Sequence, residues 1–159
     1  MQNFETTFNN LNEIDKKCIN AYRSAREFKN IGTQPVVINN NRMYPVIIAS
    51  IVNNALACEL FLKSIIIMNT KEIPKGHSIK KLIIEANISD ELKYRLNNYN
   101  FDIEIEGVDS AFIEWRYTYE RNEMIMNNGF LNGLCTALEE IVRNKILEKY
   151  NLNMFESFI

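Results

Sequence analysis

The spacing of apolar and polar positions changes several times along the chain, and each change marks an element. From Val46 to Met68 the sequence VIIASIVNNALACELFLKSIIIM is apolar on nearly every side, which predicts a central helix that other helices must cover. Pro45 suits its first turn, where a missing N–H costs nothing. Before it, Phe4, Phe8, Leu11, Ile14, Cys18, Tyr22, Ala25 and Phe28 recur at steps of three and four, the pattern of one long amphipathic helix. Gly32 stands where a left-handed C-cap is wanted, with Lys29 near the negative end of the dipole. The stretch from Thr33 to Arg42 holds Gln34-Pro35 and three consecutive asparagines and reads as a loop, with a short extended piece at Val36 to Ile38.

After the central helix, Lys71 to His77 contains Pro74 and Gly76 and breaks the chain. Ser78 is placed to cap a short helix reading IKKLIIEA, and Ser89 to cap a second reading DELKYRL, with Asp90 and Glu91 in its first turn. Phe101, Ile103 and Ile105 then alternate with acids, which predicts a short strand. The helical period returns from Asp109 or Ser110 to Glu120, with Phe112, Trp115 and Tyr119 on one face. The stretch from Asn122 to Asn128 interrupts it. A last long helix follows, with Phe130, Leu134, Leu138 and Ile141 in its apolar stripe and Glu139, Glu140, Arg143 and Lys145 outward. The tail from Leu152 to Ile159 carries Met154, Phe155, Phe158 and Ile159 and is expected to dock on the bundle or on a second subunit. The pattern therefore predicts an all-α protein, an up-and-down helical bundle around one buried helix, in a single domain spanning 1–159.

Composition changes this picture mainly by exclusion. The chain has 159 residues, 47% hydrophobic and 24% charged, enough for one real core. Asn53, Asn54, Glu59 and Lys63 fall in the middle of the apolar helix, so it reads as a buried helix and no membrane span is expected. Lys and Arg number 18 against 20 for Asp and Glu, so no global positive field draws the protein to nucleic acid. Lys16, Lys17, Arg23, Arg26 and Lys29 share one helix and form at most a local basic stripe, diluted by Glu13, Asp15 and Glu27. The N-terminal residues MQNFETTFNN lack the pattern of a secretory signal, and a cytoplasmic location is expected. Cys18, Cys58 and Cys135 form no CxxC pair and read as reduced core residues. One histidine, His77, and no glycine-rich phosphate loop leave no expected metal site, cofactor or nucleophilic triad.

What remains is a polar and aromatic run, Glu114-Trp115-Arg116-Tyr117-Thr118-Tyr119-Glu120-Arg121, together with Glu59 and Lys63. Glu59 and Lys63 are one helical turn apart, as are Arg116 and Glu120. A carboxylate on a buried helix needs a partner, and a bidentate contact from Arg116 to Glu59 is the predicted one. These residues either fix helix register or line a polar cleft for an anionic ligand, with Tyr117 and Tyr119 available to stack on bases.

The order of these motifs resembles a HEPN domain: Ala55-x-x-Cys58-Glu59-Leu60-Phe61-Leu62-Lys63-Ser64, then Gly76-His77-Ser78-Ile79-Lys80-Lys81-Leu82, then Phe112 to Glu120 ahead of a final helix. The resemblance covers roughly Tyr44 to Glu148. It implies an all-α bundle that pairs as a homodimer, of the kind found in toxin–antitoxin, antiphage and RNA-processing systems, where many members are metal-independent ribonucleases built on an Arg and a His with four to six residues between them. Arg116 resembles the family arginine, but Arg121, Asn122 and Glu123 stand where the histidine belongs, so the motif is broken. His77 matches only the Gly-His break, where capping or bonding the chain is the expected role. The resemblance therefore leaves open a non-catalytic module binding RNA, a nucleotide or a protein partner through Glu59, Lys63, His77, Arg116 and Tyr117. It also leaves a ribonuclease using Arg116 and Arg121 for charge and Tyr119 or Glu120 for proton transfer. A structural partner of a nucleotidyltransferase or an antitoxin is the third class.

Overall fold

The computed structural model describes residues 8–33, 38–39, 42–43, 46–109, 111–120 and 126–150, with the backbone alone at 38–39, 42–43, 46 and 118–120. The fold is all-α. Three long helices, α1 (Glu13–Gly32), α2 (Val46–Thr70) and α7 (Asn128–Tyr150), enclose the core. Between α2 and α7 lie four short helices: α3 (Ile79–Ala86), α4 (Ser89–Arg95), α5 (Phe101–Val108) and α6 (Ala111–Glu114). A 3₁₀ helix (Trp115–Glu120) follows α6. The loop after α1 holds a two-residue antiparallel pairing of β1 (Ile38–Asn39) with β2 (Arg42–Met43), close to the short extended piece expected there.

As its pattern requires, α2 is the most enclosed element. Ala55, Cys58, Phe61, Leu62 and Ile65 are all fully buried. By length and composition it could cross a bilayer, yet 72% of its most apolar stretch is buried inside the fold, where other helices stand in place of lipid. The course of α1 is antiparallel to α2. Cys18 donates to the Ser64 carbonyl at 3.3 Å near one end, while Ser50 and Asn54 reach the Gly32 carbonyl at the other. In contrast, α7 lies parallel to α2, with Asn132 against Asn54 at 2.7 Å and Lys149 on the Met68 carbonyl at 2.6 Å. The four short helices return the chain to make this possible. Tyr99 and Phe101 pack edge-on against Phe130 at 5.5 and 5.7 Å, fastening that return to the start of α7.

Several expectations need correction. The first helix is not continuous from Phe4, which lies outside the described residues. It begins at Glu13, because the Asn12 side chain accepts from the Asp15 amide at 2.9 Å and caps it there. Gly32 is helical rather than a left-handed cap, and Thr33 with φ −94° ends the helix. The glycine is needed for room, since a Cβ there would stand 2.2 Å from Asn54 Oδ1. Ser78 caps α3 as expected, accepting from the Lys81 amide at 3.1 Å, whereas Ser89 is the first residue of α4 and does not cap it.

The predicted strand at Phe101–Glu106 is helix α5. Phe101, Ile105 and Val108 are buried and lie at helical spacing, while Ile103 is 67% exposed. Strand and helix periods share Phe101 and Ile105, so the alternation was coincidental. Helix 110–120 is broken: α6 ends at Glu114, and the chain tightens into the 3₁₀ helix with a kink at Tyr117 (φ −112°, ψ 33°). Glu139 turns toward α1, pairing with Arg26 at 3.2 Å and with Lys29. Cys18, Cys58 and Cys135 are free and buried. Pro45, Val36 and the tail from Leu152 to Ile159 lie outside the described residues.

Candidate functional site

Glu59 sits just past the middle of α2 and is 2% exposed. An ionised carboxylate in that position needs compensating partners. Two are present. Lys63, one turn on, donates to Oε1 at 2.7 Å, and His77 Nδ1 lies 3.0 Å from Oε1 and 3.1 Å from Oε2. A carboxylate accepts hydrogen bonds and does not donate them, so Nδ1 is the donating nitrogen in this contact and Nε2 is the one left to face away from Glu59. The Lys63 side chain is 18% exposed and that of His77 51%. A buried carboxylate therefore orients a half-exposed imidazole.

The loop that carries His77 is fixed at both ends. It leaves α2 through Lys71 in the left-handed region (φ 62°), passes buried Pro74, and turns at Gly76 with φ 88°. Nothing lies within 4 Å of where a Gly76 Cβ would stand, so the glycine is required for its conformation and not for space. Past His77, Ser78 donates to Asp109 Oδ1 at 2.8 Å, the same oxygen accepts from the Lys80 amide at 2.6 Å, and the Asp109 carbonyl accepts from the Ile79 amide at 3.2 Å. Asp109 thus already serves the positive end of α3.

Arg116 approaches from the 3₁₀ helix. Its guanidinium carbon stands 4.3 Å from the centroid of the Phe112 ring and 5.8 Å from that of Tyr117, a cation–π arrangement. The His77 ring lies 6.1 Å from the same Phe112 ring, tilted by 41°. Phe112 is thus the shared neighbour of imidazole and guanidinium. Tyr117 is 45% exposed. His77 also lines a cleft of about 380 Å³, together with Lys75, Gly76, Ser78, Lys81 and Glu85. No carboxylate among the described side chains pairs with Arg116, Lys75 or Lys81.

The expected contact between Arg116 and Glu59 is not formed. The 3₁₀ helix rotates Arg116 off the inward face onto Phe112, and His77 takes the place at Glu59 that the arginine was expected to fill. Glu59, Lys63 and His77 come together directly, and Arg116 and Tyr117 join them only through Phe112. The side chains of Tyr119 and Glu120, and all of Arg121, lie outside the described residues. His77 was expected to bond the local chain. The signal for its true partner was available, since a carboxylate in an apolar helix calls for a cation or donor and the chain has a single imidazole. The basic stripe on α1 is largely neutralised, Lys16 by Glu13 at 3.1 Å and Arg26 and Lys29 by Glu139.

Among the described residues no three His, Cys, Asp or Glu side chains stand together as a metal-binding group. Compared with protein-family models, curated proteins and solved structures, the chain matches none.

Proposed function

We propose that the chain is a HEPN-like helical module whose His77–Phe112–Arg116 face binds a phosphate-bearing ligand, single-stranded RNA above all. One observation carries the reading. Arg116 is exposed, stacked on Phe112 and unpaired among the described side chains, and His77, which shares that ring, also lines the cleft that holds Lys75 and Lys81. A guanidinium held against a ring face is pre-oriented for phosphate, and an exposed Tyr117 offers a surface for a splayed base. Overall charge is slightly negative, with a formal net charge of −2, so this local group of cations and not the whole molecule supplies the attraction.

The test is fluorescence anisotropy with a short labelled oligoribonucleotide, over roughly 50 to 200 mM salt. Replacing Arg116, Lys75 and Lys81 together by Ala is expected to weaken binding at least tenfold and to reduce the salt slope by about 2, at about 0.7 per phosphate contact on a single strand. Competition by ATP separates a nucleotide site from an RNA surface. Affinity unchanged in the triple variant removes the reading.

A further inference from the structure

We infer that the cleft lined by His77 binds the terminal phosphate monoester of an RNA strand through Lys75 and Lys81, while Arg116 and Tyr117 bind an inner nucleotide of the same strand. The inference rests on the phosphate-binding reading above and divides its cations between two places. It begins from how the lysines of this region are used. Five lysines lie between Leu60 and Glu85. Lys63 is paired with Glu59, Lys71 with Asp15 and Lys80 with Glu106. Lys75 and Lys81 have no carboxylate within ion-pair distance among the described residues, and these are the two that line the cleft.

The chemistry of the lining sets the ligand. The backbone amides of Ile79 and Lys80 already donate to Asp109, and that of Lys81 donates to the Ser78 hydroxyl, which itself donates to Asp109. Neither the start of α3 nor the serine is left for an anion, so the two ammoniums carry the attraction. An ammonium acts as a point charge without the fork of a guanidinium, and the charge of the ligand then counts for more than its shape. A terminal phosphate monoester carries roughly −1.5 to −2 at pH 7, against about −1 for a diester inside the strand. Two unpaired lysines match the monoester. A volume of about 380 Å³ is near the lower end of ligand pockets, roughly 300 to 1,000 Å³, and suits one nucleotide unit better than a length of strand. Glu85 stands one turn beyond Lys81 in the same lining, where a strand that continued through would bring a second phosphate against its carboxylate. A strand that ends in the cleft avoids this. His77 belongs to both places, since it lines the cleft and lies 6.1 Å from the Phe112 ring on which Arg116 stacks.

The experiment measures anisotropy of the full-length protein with one short single-stranded RNA, labelled internally. The strand carries in turn hydroxyl ends, a 5′-phosphate, a 3′-phosphate, and each of these phosphates capped as its methyl ester. Wild type is expected to bind one of the two free phosphate ends about fivefold or more tightly than the hydroxyl-ended strand, the size of two exposed ion pairs. The two arms identify which end is bound, and the methyl esters are expected to bind no better than the hydroxyl ends. Lys75→Ala with Lys81→Ala is expected to bind all the strands alike. Arg116→Ala is expected to weaken all of them by a common factor and to keep the preference. All three side chains are exposed, and circular dichroism establishes that each variant is folded. Four outcomes overturn the inference and leave the RNA-binding reading standing: no preference in wild type, a methyl ester bound as tightly as its free phosphate, a preference that survives in the double lysine variant, or one that disappears with Arg116. Failure of every strand to bind overturns both.

Discussion

Replacing Glu59 by Gln keeps the shape of the side chain and removes its charge, so it isolates the electrostatics of the α2 site. In the native protein Lys63 and the His77 Nδ1–H both donate to this carboxylate. The amide offers one acceptor oxygen where two were used, and its NH₂ group would face one of the two donors. Removing one member of a buried ion pair costs about 3–5 kcal/mol when the remaining charge stays buried. Here relief is available, because the Lys63 side chain is already 18% exposed and that of His77 51% exposed. That places the expected loss near 2 kcal/mol. With 159 residues and an unfolding entropy of about 2.1 cal/mol/K per residue, the corresponding fall in Tm is about 6 °C. Urea titration gives the free energy directly, and the m value should not change. Adding Lys63→Met removes the stranded ammonium and should restore at least half of the loss, since a buried pair replaced by apolar side chains is often close to neutral. A Glu59→Gln protein within about 0.5 kcal/mol of wild type, typical of an unremarkable surface change, would refute this account.

Two further outcomes follow from other parts of the fold. Burial pushes the Asp15 carboxyl upward, but hydrogen bonds from Lys71, Tyr150 and Asn12, with the charge on Lys71, outweigh it and hold the group below its ordinary value. A depressed folded pKa means the stabilisation is complete above the unfolded value of about 3.9 and is lost as pH falls through the folded one. Asp15→Asn should therefore cost about 1–2 kcal/mol at pH 7 and progressively less below about pH 4, read from urea midpoints across pH; a pH-independent difference contradicts the assignment. Gly32→Ala should destabilise by about 2 kcal/mol, because the new Cβ meets buried Asn54 Oδ1 at 2.2 Å, whereas Gly107→Ala, with open space around it on α5, should stabilise by about 0.5–1 kcal/mol; equal effects at the two glycines would remove the steric argument.

The elements most legible in the chain were those whose pattern admitted a single solution. An apolar run with no polar face has no stable place except the centre, and α2 stands there. Ser78 before IKKLIIEA had a hydroxyl at cap spacing and no competing bond geometry, and it caps. The misread elements had two solutions. Phe101 and Ile105 satisfy both the strand and the helix period, and only the exposure of Ile103 separates them, which depends on packing against Phe130 far along the chain. Asn12 and Ser89 both had capping chemistry. Asn12 is used because its side chain reaches the Asp15 amide, while the chain enters α4 through Ile88 instead. At the site, Glu59, Lys63, His77 and Arg116 were all visible as chemistry, and the need of Glu59 for a donor was visible too, but spacing alone did not choose between His77 and Arg116 as its partner from outside α2. A spacing of four residues on one helix announces Glu59 with Lys63. No local spacing announces a partner 18 residues away on a loop, and the 3₁₀ twist that turns Arg116 onto Phe112 is a property of the fold.

That dependence on the fold says how the face is put together. His77 and Arg116 reach it by two routes that meet only at Phe112. One route is the loop from α2, turned by Gly76 and held by Glu59. The other passes through Asp109, whose carboxylate and carbonyl bind the first residues of α3 before the chain turns into α6. Because Ser78 follows His77 directly, the Asp109 clamp fixes the same short segment that Glu59 orients from the other side. The imidazole is thus held by a carboxylate from α2 through its side chain and by a second carboxylate, next to α5, through its backbone neighbour. The Glu59 clamp needs only α2 and the loop that leaves it, whereas the Asp109 clamp needs the end of α5 in place beside α3. Such double support narrows the excursions of His77 while leaving its ring half exposed, which is the combination a group needs if it is to meet a ligand in one orientation.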